Sequence, residues 1–277
     1  MLMNSTKLLL LIFLFMSTIF SLSSNNWFGS WLGLEMNMMS FIPIMYKKNN
    51  YYSSESMMKY FIIQSMGSTI LLLGVMMVNS ITLFNMNLFL VNCSLLIKLG
   101  ISPFHMWLPS IMQSMSWTNC MIMSTWQKIA LLFILSYTID KFTIIFIIMS
   151  LIIGSIGGIN QSSIKKMMAY SSINNMAWMM ASMQISMTLL INYFMIYSML
   201  TIFSMLLFKK MKINYLNQCM IKMNSPFNKM SLTMMMFSLG GMPPLMGFLP
   251  KFIIIQYMIA FNSVSTKIYY YSMYNCI

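Results

Sequence analysis

Glu35, Lys98, Lys128 and Lys251 are ionisable side chains that each fall inside a run of apolar residues long enough to cross a bilayer. Inserting a charge near the centre of such a helix costs about 2.5–3.5 kcal/mol. Against lipid, four such penalties would be hard to sustain beside the small net stability of a fold. Across a wet interior, the same groups can pair and exchange protons. Lysine suits that chemistry, because desolvation and neighbouring cations ease release of its proton and a nearby carboxylate holds it charged. A Glu35–Lys98 pair would therefore act as a switch, with Lys128 and Lys251 passing charge along the membrane mid-plane through water.

Other charged residues read differently. Snorkelling to the headgroups accounts for Lys7, Lys59 and Lys267 near predicted helix ends. Lys128 is about nine residues, roughly 14 Å, from its helix start and is too deep for that. Glu55 precedes Lys59 by four positions behind Ser53 and Ser54, the favourable order for a structural pair near a helix start. His105, the one histidine, follows Gly100 and Pro103. It reads either as a hydrogen-bonded structural residue or as a proton relay.

These residues require long apolar helices to hold them. Apolar runs predict about nine membrane spans, at about 3–22, 27–46, 58–79, 81–108, 119–138, 142–159, 166–185, 188–208 and 230–259. Two are interrupted, by Gly100-Ile101-Ser102-Pro103 and by Gly240-Gly241-Met242-Pro243-Pro244. Broken backbone at membrane depth is tolerated only inside protein or along a wet cavity. The fourth and ninth spans must run in opposite directions, so the pair marks an inverted-repeat architecture. The expected fold is an all-α, polytopic, transporter-like helical bundle forming one integral membrane domain over 1–277. Its first repeat covers about 3–138 and its second about 142–277. Beyond 259 only Ile268 to Tyr274 is apolar, too short to span, so the second repeat is expected to be incomplete.

Composition agrees with this plan. Residues are 59% hydrophobic and 7% charged, too little charge to cover a water-soluble surface of 277 residues. All 16 basic residues are lysines, and a net charge of +13 without a basic stripe and interleaved aromatics gives no nucleic-acid signal. The lysines instead lie mostly between spans. Lys47 and Lys48, Lys165 and Lys166, and Lys209, Lys210, Lys212, Lys222 and Lys229 follow the second, sixth and eighth spans. Loops after the first, third and seventh carry none, and Asp140 offsets Lys141 after the fifth. By the positive-inside rule the lysine-rich loops and the N-terminus face the interior compartment. Nothing in the loop after the fourth span tests that rule.

Forty methionines, plentiful Ile, Asn, Lys, Tyr and Phe, and no arginine mark A/T-only codons with ATA read as methionine. That places the gene in an AT-rich mitochondrial genome and the interior compartment in the matrix. Residues 1–22 look like a signal peptide, but a mitochondrially encoded chain needs none, so they are expected to form the first helix. Cys93, Cys120, Cys219 and Cys276 are scattered without metal-ligand or disulfide spacing.

Several ordered motifs carry a resemblance. They are Trp31-Leu32-Gly33-Leu34-Glu35-Met36-Asn37; Lys98-Leu99-Gly100 with Pro103-Phe104-His105-Met106-Trp107; and Thr125-Trp126-Gln127-Lys128-Ile129-Ala130. There follow Ile156-Gly157-Gly158-Ile159-Asn160-Gln161, Ala169-Tyr170-Ser171-Ser172-Ile173-Asn174, and Leu239-Gly240-Gly241-Met242-Pro243-Pro244 through Gly247-Phe248-Leu249-Pro250-Lys251. In this order, over about residues 5–259, the chain resembles the mitochondrial NADH dehydrogenase subunit 2 family, antiporter-like membrane subunits of respiratory complex I. The resemblance implies a proton pathway through Glu35, Lys98, Lys128 and Lys251. It also implies other complex I membrane subunits as partners, the mitochondrial inner membrane as location, and NADH, FMN, iron–sulfur clusters and ubiquinone held in partner subunits rather than here. Asn175 stands where many relatives have histidine. The alternatives are a free-standing cation/proton antiporter and a purely structural membrane subunit.

Overall fold

A computed structural model describes residues 5–47, 50–78, 84–140, 142–222 and 226–264. Its helices are α1 (Ser5–Ser23), α2 (Trp27–Met45), α3 (Tyr51–Val78), α4 (Phe84–Leu99), α5 (Trp107–Ser114), α6 (Trp117–Ser124) and α7 (Trp126–Ser136). They continue as α8 (Thr143–Ile159), α9 (Ile164–Met183), α10 (Met187–Met211), α11 (Leu216–Lys222), α12 (Pro226–Gly240) and α13 (Phe248–Val264). Outside the helices, an isolated bridge joins Ser163 to Tyr215. The stretch Ile268 to Tyr274, with Lys48, Lys141 and Lys267, lies outside the described residues.

The helices are built for lipid. Along α8 the buried positions are Thr143, Ile147, Ser150 and Gly154, spaced to form one face that packs on α9. The isoleucines at 144, 145, 148, 152, 156 and 159 are exposed. Small residues inside and large apolar residues outside is the membrane arrangement, because closeness of backbones rather than exclusion of water joins such helices. α1, α3 and α10 are each long and apolar enough to span, as are α6 and α7 taken together.

Two predicted elements need correction, and α11 and most of α5 lie outside every predicted span. α3 begins at Tyr51 rather than near 58, with the Ser53 hydroxyl donating to the Asn50 and Lys47 carbonyls. The span predicted at 119–138 is two helices meeting at Thr125, where φ is −116° and ψ −72°. The Thr125 hydroxyl donates to the Met121 carbonyl at 2.7 Å, a back-bond of the kind that bends helices.

The two predicted breaks share one design. At the end of α4, the Ile101 amide donates to the Leu96 carbonyl and the Gly100 amide to the Ile97 carbonyl. At the end of α12, Met242 bonds to Phe237 and Gly241 to Ser238 in the same pattern. This double bond requires a left-handed residue just past the helix, where glycine meets no Cβ penalty. Gly100 and Gly241 supply it, with φ of 71° and 83°. In both cases the next helix starts seven residues after that glycine, at Trp107 and at Phe248.

Hydrogen bonds gather the lysine-bearing loops on one side. The Ile164 amide donates to the Asn214 carbonyl, and Asn119 reaches the Ile44 carbonyl. Lys165 donates to the Met115 carbonyl at 2.6 Å. This last bond draws a cation to the α5–α6 loop, which has no lysine of its own. On the other side Asn87 bonds the Met77 carbonyl, Asn92 bonds Thr138 and Asp140, and Gln184 bonds Thr143.

Candidate functional site

Two apolar clusters fill the interior. One contains Leu95, Leu96, Leu99, Ala130, Leu135, Met176, Met180 and Leu190, toward the side of Asp140. The other contains Ile111, Met115, Cys120, Ile164, Met168, Met205 and Phe208, toward the lysine-bearing loops. On helices that cross both, polar side chains lie in the interval where one cluster gives way to the other. On α2 the gap between Leu34 and Met38 holds Glu35 and Asn37, and on α3 that between Tyr60 and Leu71 holds Gln64 and Ser68. From α6 to α7, Met123 and Ala130 bracket Ser124, Gln127 and Lys128. On α9, Ala169 and Met176 bracket Ser172 and Asn175. The result is a polar layer between two dry ones.

The centre of that layer is a cavity of about 30 Å³. That is room for about two waters. Lys98 and Lys128 both line it, with Asn37, Gln64 and Gln127. The lysines are 5% and 4% exposed, so their alkyl chains are packed in protein and not snorkelling to a headgroup. Lys98 stands in the last turn of α4, where the helix dipole favours a cation. Gln64 of α3 donates to the Lys98 carbonyl at 3.1 Å and Trp107 Nε1 to the Ile97 carbonyl at 3.2 Å. The open end of α4 is thereby capped without using the lysine. Gly67 gives the Lys98 side chain room, since a Cβ there would stand 2.8 Å from Lys98 Cγ.

Glu35 and Lys98 interact electrostatically, yet no direct ion pair joins them. Glu35 Oε1 is buried without a hydrogen-bond partner. A buried carboxylate oxygen calls for a water, a proton or an approaching cation. Lys128 instead contacts a residue not singled out from sequence: its Nζ donates to Tyr197 Oη at 3.5 Å, above the ring at 5.4 Å.

Lys251 and His105 are placed differently. Lys251 lies in the first turn of α13, half-buried, with Nζ 3.5 Å from the Gly240 carbonyl at the end of α12. It thus sits in the second break and not in the central cavity. His105 is buried in the first break, Nδ1 3.3 Å from the Pro103 carbonyl and its ring beside Tyr170. Those contacts fit a residue that closes the loop. Lys59 and Glu55 form the expected exposed pair at 2.5 Å.

Sequence reasoning missed Asn37, Gln127, Tyr193 and Tyr197. Gln127 donates to Asn37 at 2.9 Å, bracing α7 on α2, and Tyr193 donates to Asn175 at 2.8 Å. The available signal was the four-residue spacing of Tyr193 and Tyr197, which puts both on one face of α10.

Comparison with known proteins agrees with this architecture. Residues 24–272 match the family model for NADH:quinone oxidoreductase/Mrp antiporter transmembrane proteins. NADH-ubiquinone oxidoreductase chain 2 of Anopheles gambiae is 44% identical over 270 residues, covering 94% of this chain and 78% of that one. Its counterpart in Locusta migratoria is 42% identical over 267 residues, covering 92% and 77%. In fold, the chain is similar to a chain of respiratory complex I from Thermus thermophilus, with TM-score 0.83 at 20% identity, covering 95% of this chain and 65% of that one. It is also similar to a chain of the Mrp complex from Dietzia, with TM-score 0.79 at 15% identity, covering 92% and 55%. The chain belongs to the NADH:quinone oxidoreductase/Mrp antiporter family, within its NADH-ubiquinone oxidoreductase chain 2 group.

Proposed function

We propose that this chain is a proton-translocating membrane subunit of NADH:ubiquinone oxidoreductase, respiratory complex I, and that Glu35, Lys98, Lys128 and Lys251 carry its protons. The observation that carries this reading is the pair of buried lysines on one water-sized cavity at the end of a broken helix. Two buried ammonium groups around so small a space repel each other, so one of them releases its proton more readily when the other is charged. Glu35 biases that exchange by its distance from Lys98, holding the lysine charged when near and freeing its proton when far. Lys251 is the proton-bearing group of the second break, and His105 closes the loop of the first. The shared backbone pattern of the two breaks supports reading 3–138 and 142–277 as two inverted repeats of one domain.

NADH, FMN, iron–sulfur and ubiquinone chemistry belongs to partner subunits. One histidine, three separated acidic residues and scattered cysteines offer no ligand set for it here. The chain sits in the mitochondrial inner membrane beside other membrane subunits. Its lysine-bearing loops and N-terminus face the matrix, and its gene is mitochondrial. Membranes solubilised in mild detergent and resolved on a native gel test this assignment, with the chain identified by mass spectrometry. The chain should migrate in a very large assembly with NADH-oxidising activity. Migration alone would favour a free-standing antiporter.

A further inference from the structure

Tyr197 stands between two cavities. Its ring and hydroxyl receive Lys128 from the side of the central cavity, and its own side chain lines a second cavity of about 10 Å³ between α9, α10, α12 and α13. That volume suits about one water. Tyr193, one turn earlier on α10, lines the same space and donates to Asn175. Its far wall is Gly247 and Pro250, the residue before Lys251. Ser172 lies against the Tyr197 hydroxyl and donates its own proton to the Ala169 carbonyl at 2.7 Å, leaving its lone pairs free to accept.

We propose that Tyr197 is the positioning residue and proton bridge between Lys128 and the second break, a role that rests on the proton-carrying reading of Lys128. In the transfer, an N–H bond of the Lys128 ammonium breaks as its proton joins Tyr197 Oη. The original hydroxyl proton leaves to a water in the second cavity, while Ser172 only orients the hydroxyl. Lys128 is left neutral and the tyrosine is unchanged apart from rotation of its O–H. Asn175 carries no titratable proton, so its bond from Tyr193 fixes the wall of the second cavity while the hydroxyl of Tyr197 moves the proton.

The test uses the whole complex reconstituted in vesicles, with Tyr197→Phe, Lys128→Met and Ser172→Ala compared at equal assembled amount. Tyr197→Phe keeps the ring against Lys128 and removes only the hydroxyl. NADH-driven proton pumping should fall on the order of 10-fold or more. Its solvent deuterium isotope effect should rise, which loss of packing alone would not produce. Wild-type pumping and isotope effect in Tyr197→Phe, with Lys128→Met inactive, would overturn the bridge and leave the parent reading standing. Full pumping by Lys128→Met would overturn both. If Tyr197→Phe fails to assemble, Ser172→Ala decides: slowed pumping with a raised isotope effect supports the bridge, and unchanged pumping overturns it.

Discussion

Replacing Lys128 by methionine removes a charge and its exchangeable protons while nearly conserving volume, and the structure allows its energetic effect to be worked out. Relieving a buried ammonium in mid-span should stabilise the chain by about 2.5–3.5 kcal/mol on insertion scales. Against this stands the hydrogen bond to Tyr197, long at 3.5 Å and worth about 0.5–1.5 kcal/mol. The ring contact at 5.4 Å adds about 1–2 kcal/mol where it is desolvated. The balance runs from about 1 kcal/mol of loss to about 2 kcal/mol of gain, and assembly should be no worse than that of the wild type on native gels. Transport should not survive, because a thioether cannot accept a proton and tends to dry the cavity. Lys128→Arg should also impair it, since guanidinium stays protonated. The assay is initial proton uptake into reconstituted vesicles, normalised to assembled complex, with NADH oxidation recorded alongside. Normal pumping by the assembled Lys128→Met complex would make Lys128 structural, and failure to assemble would refute the energy balance.

Further outcomes follow from the rest of the structure. Gly100→Ala should lower the thermal stability of the complex by about 1–2 kcal/mol, because φ is 71° and the new methyl meets Leu108 and Trp107 at 3.0–3.1 Å; an unchanged melting curve would refute the left-handed cap. Glu55→Ala should change stability by less than about 0.5 kcal/mol, since its pair with Lys59 is exposed; a large loss of assembled complex would show that this pair has a further role. Cysteines placed at Lys210 and at Asp140 should react with an impermeant thiol reagent from opposite sides, Lys210→Cys from the matrix. Labelling of both from one side would overturn the topology.

The parts of this fold that were legible in the sequence have strong local causes. A lysine in an apolar run and a Gly–Pro pair in a span are conspicuous whatever surrounds them. Lys98, Lys128 and both breaks therefore came out of sequence alone. The bend at Thr125 has no such mark, because threonine back-bonding occurs in straight helices too. Tyr193 and Tyr197 were hidden among 14 tyrosines and 20 phenylalanines, where an aromatic ring facing lipid reads like one facing a cavity. The Glu35–Lys98 relation was half legible. Spacing brought them into one layer, but the lack of a direct ion pair depends on how α2 and α4 sit around the cavity. Nothing local announced that Lys165 would serve the α5–α6 loop, since its partners are backbone carbonyls some fifty residues away.

The most direct test of the buried-lysine pathway is proton pumping by the assembled complex carrying Lys98→Met. Lys98 lines the cavity, feels Glu35 and terminates the broken helix, but its carbonyl and not its ammonium takes part in the capping bonds. The substitution should therefore leave the break and the assembly intact. NADH-driven proton uptake into vesicles should fall at least 10-fold relative to wild type at equal assembled amount. Uptake at the wild-type rate would contradict proton transfer through this layer.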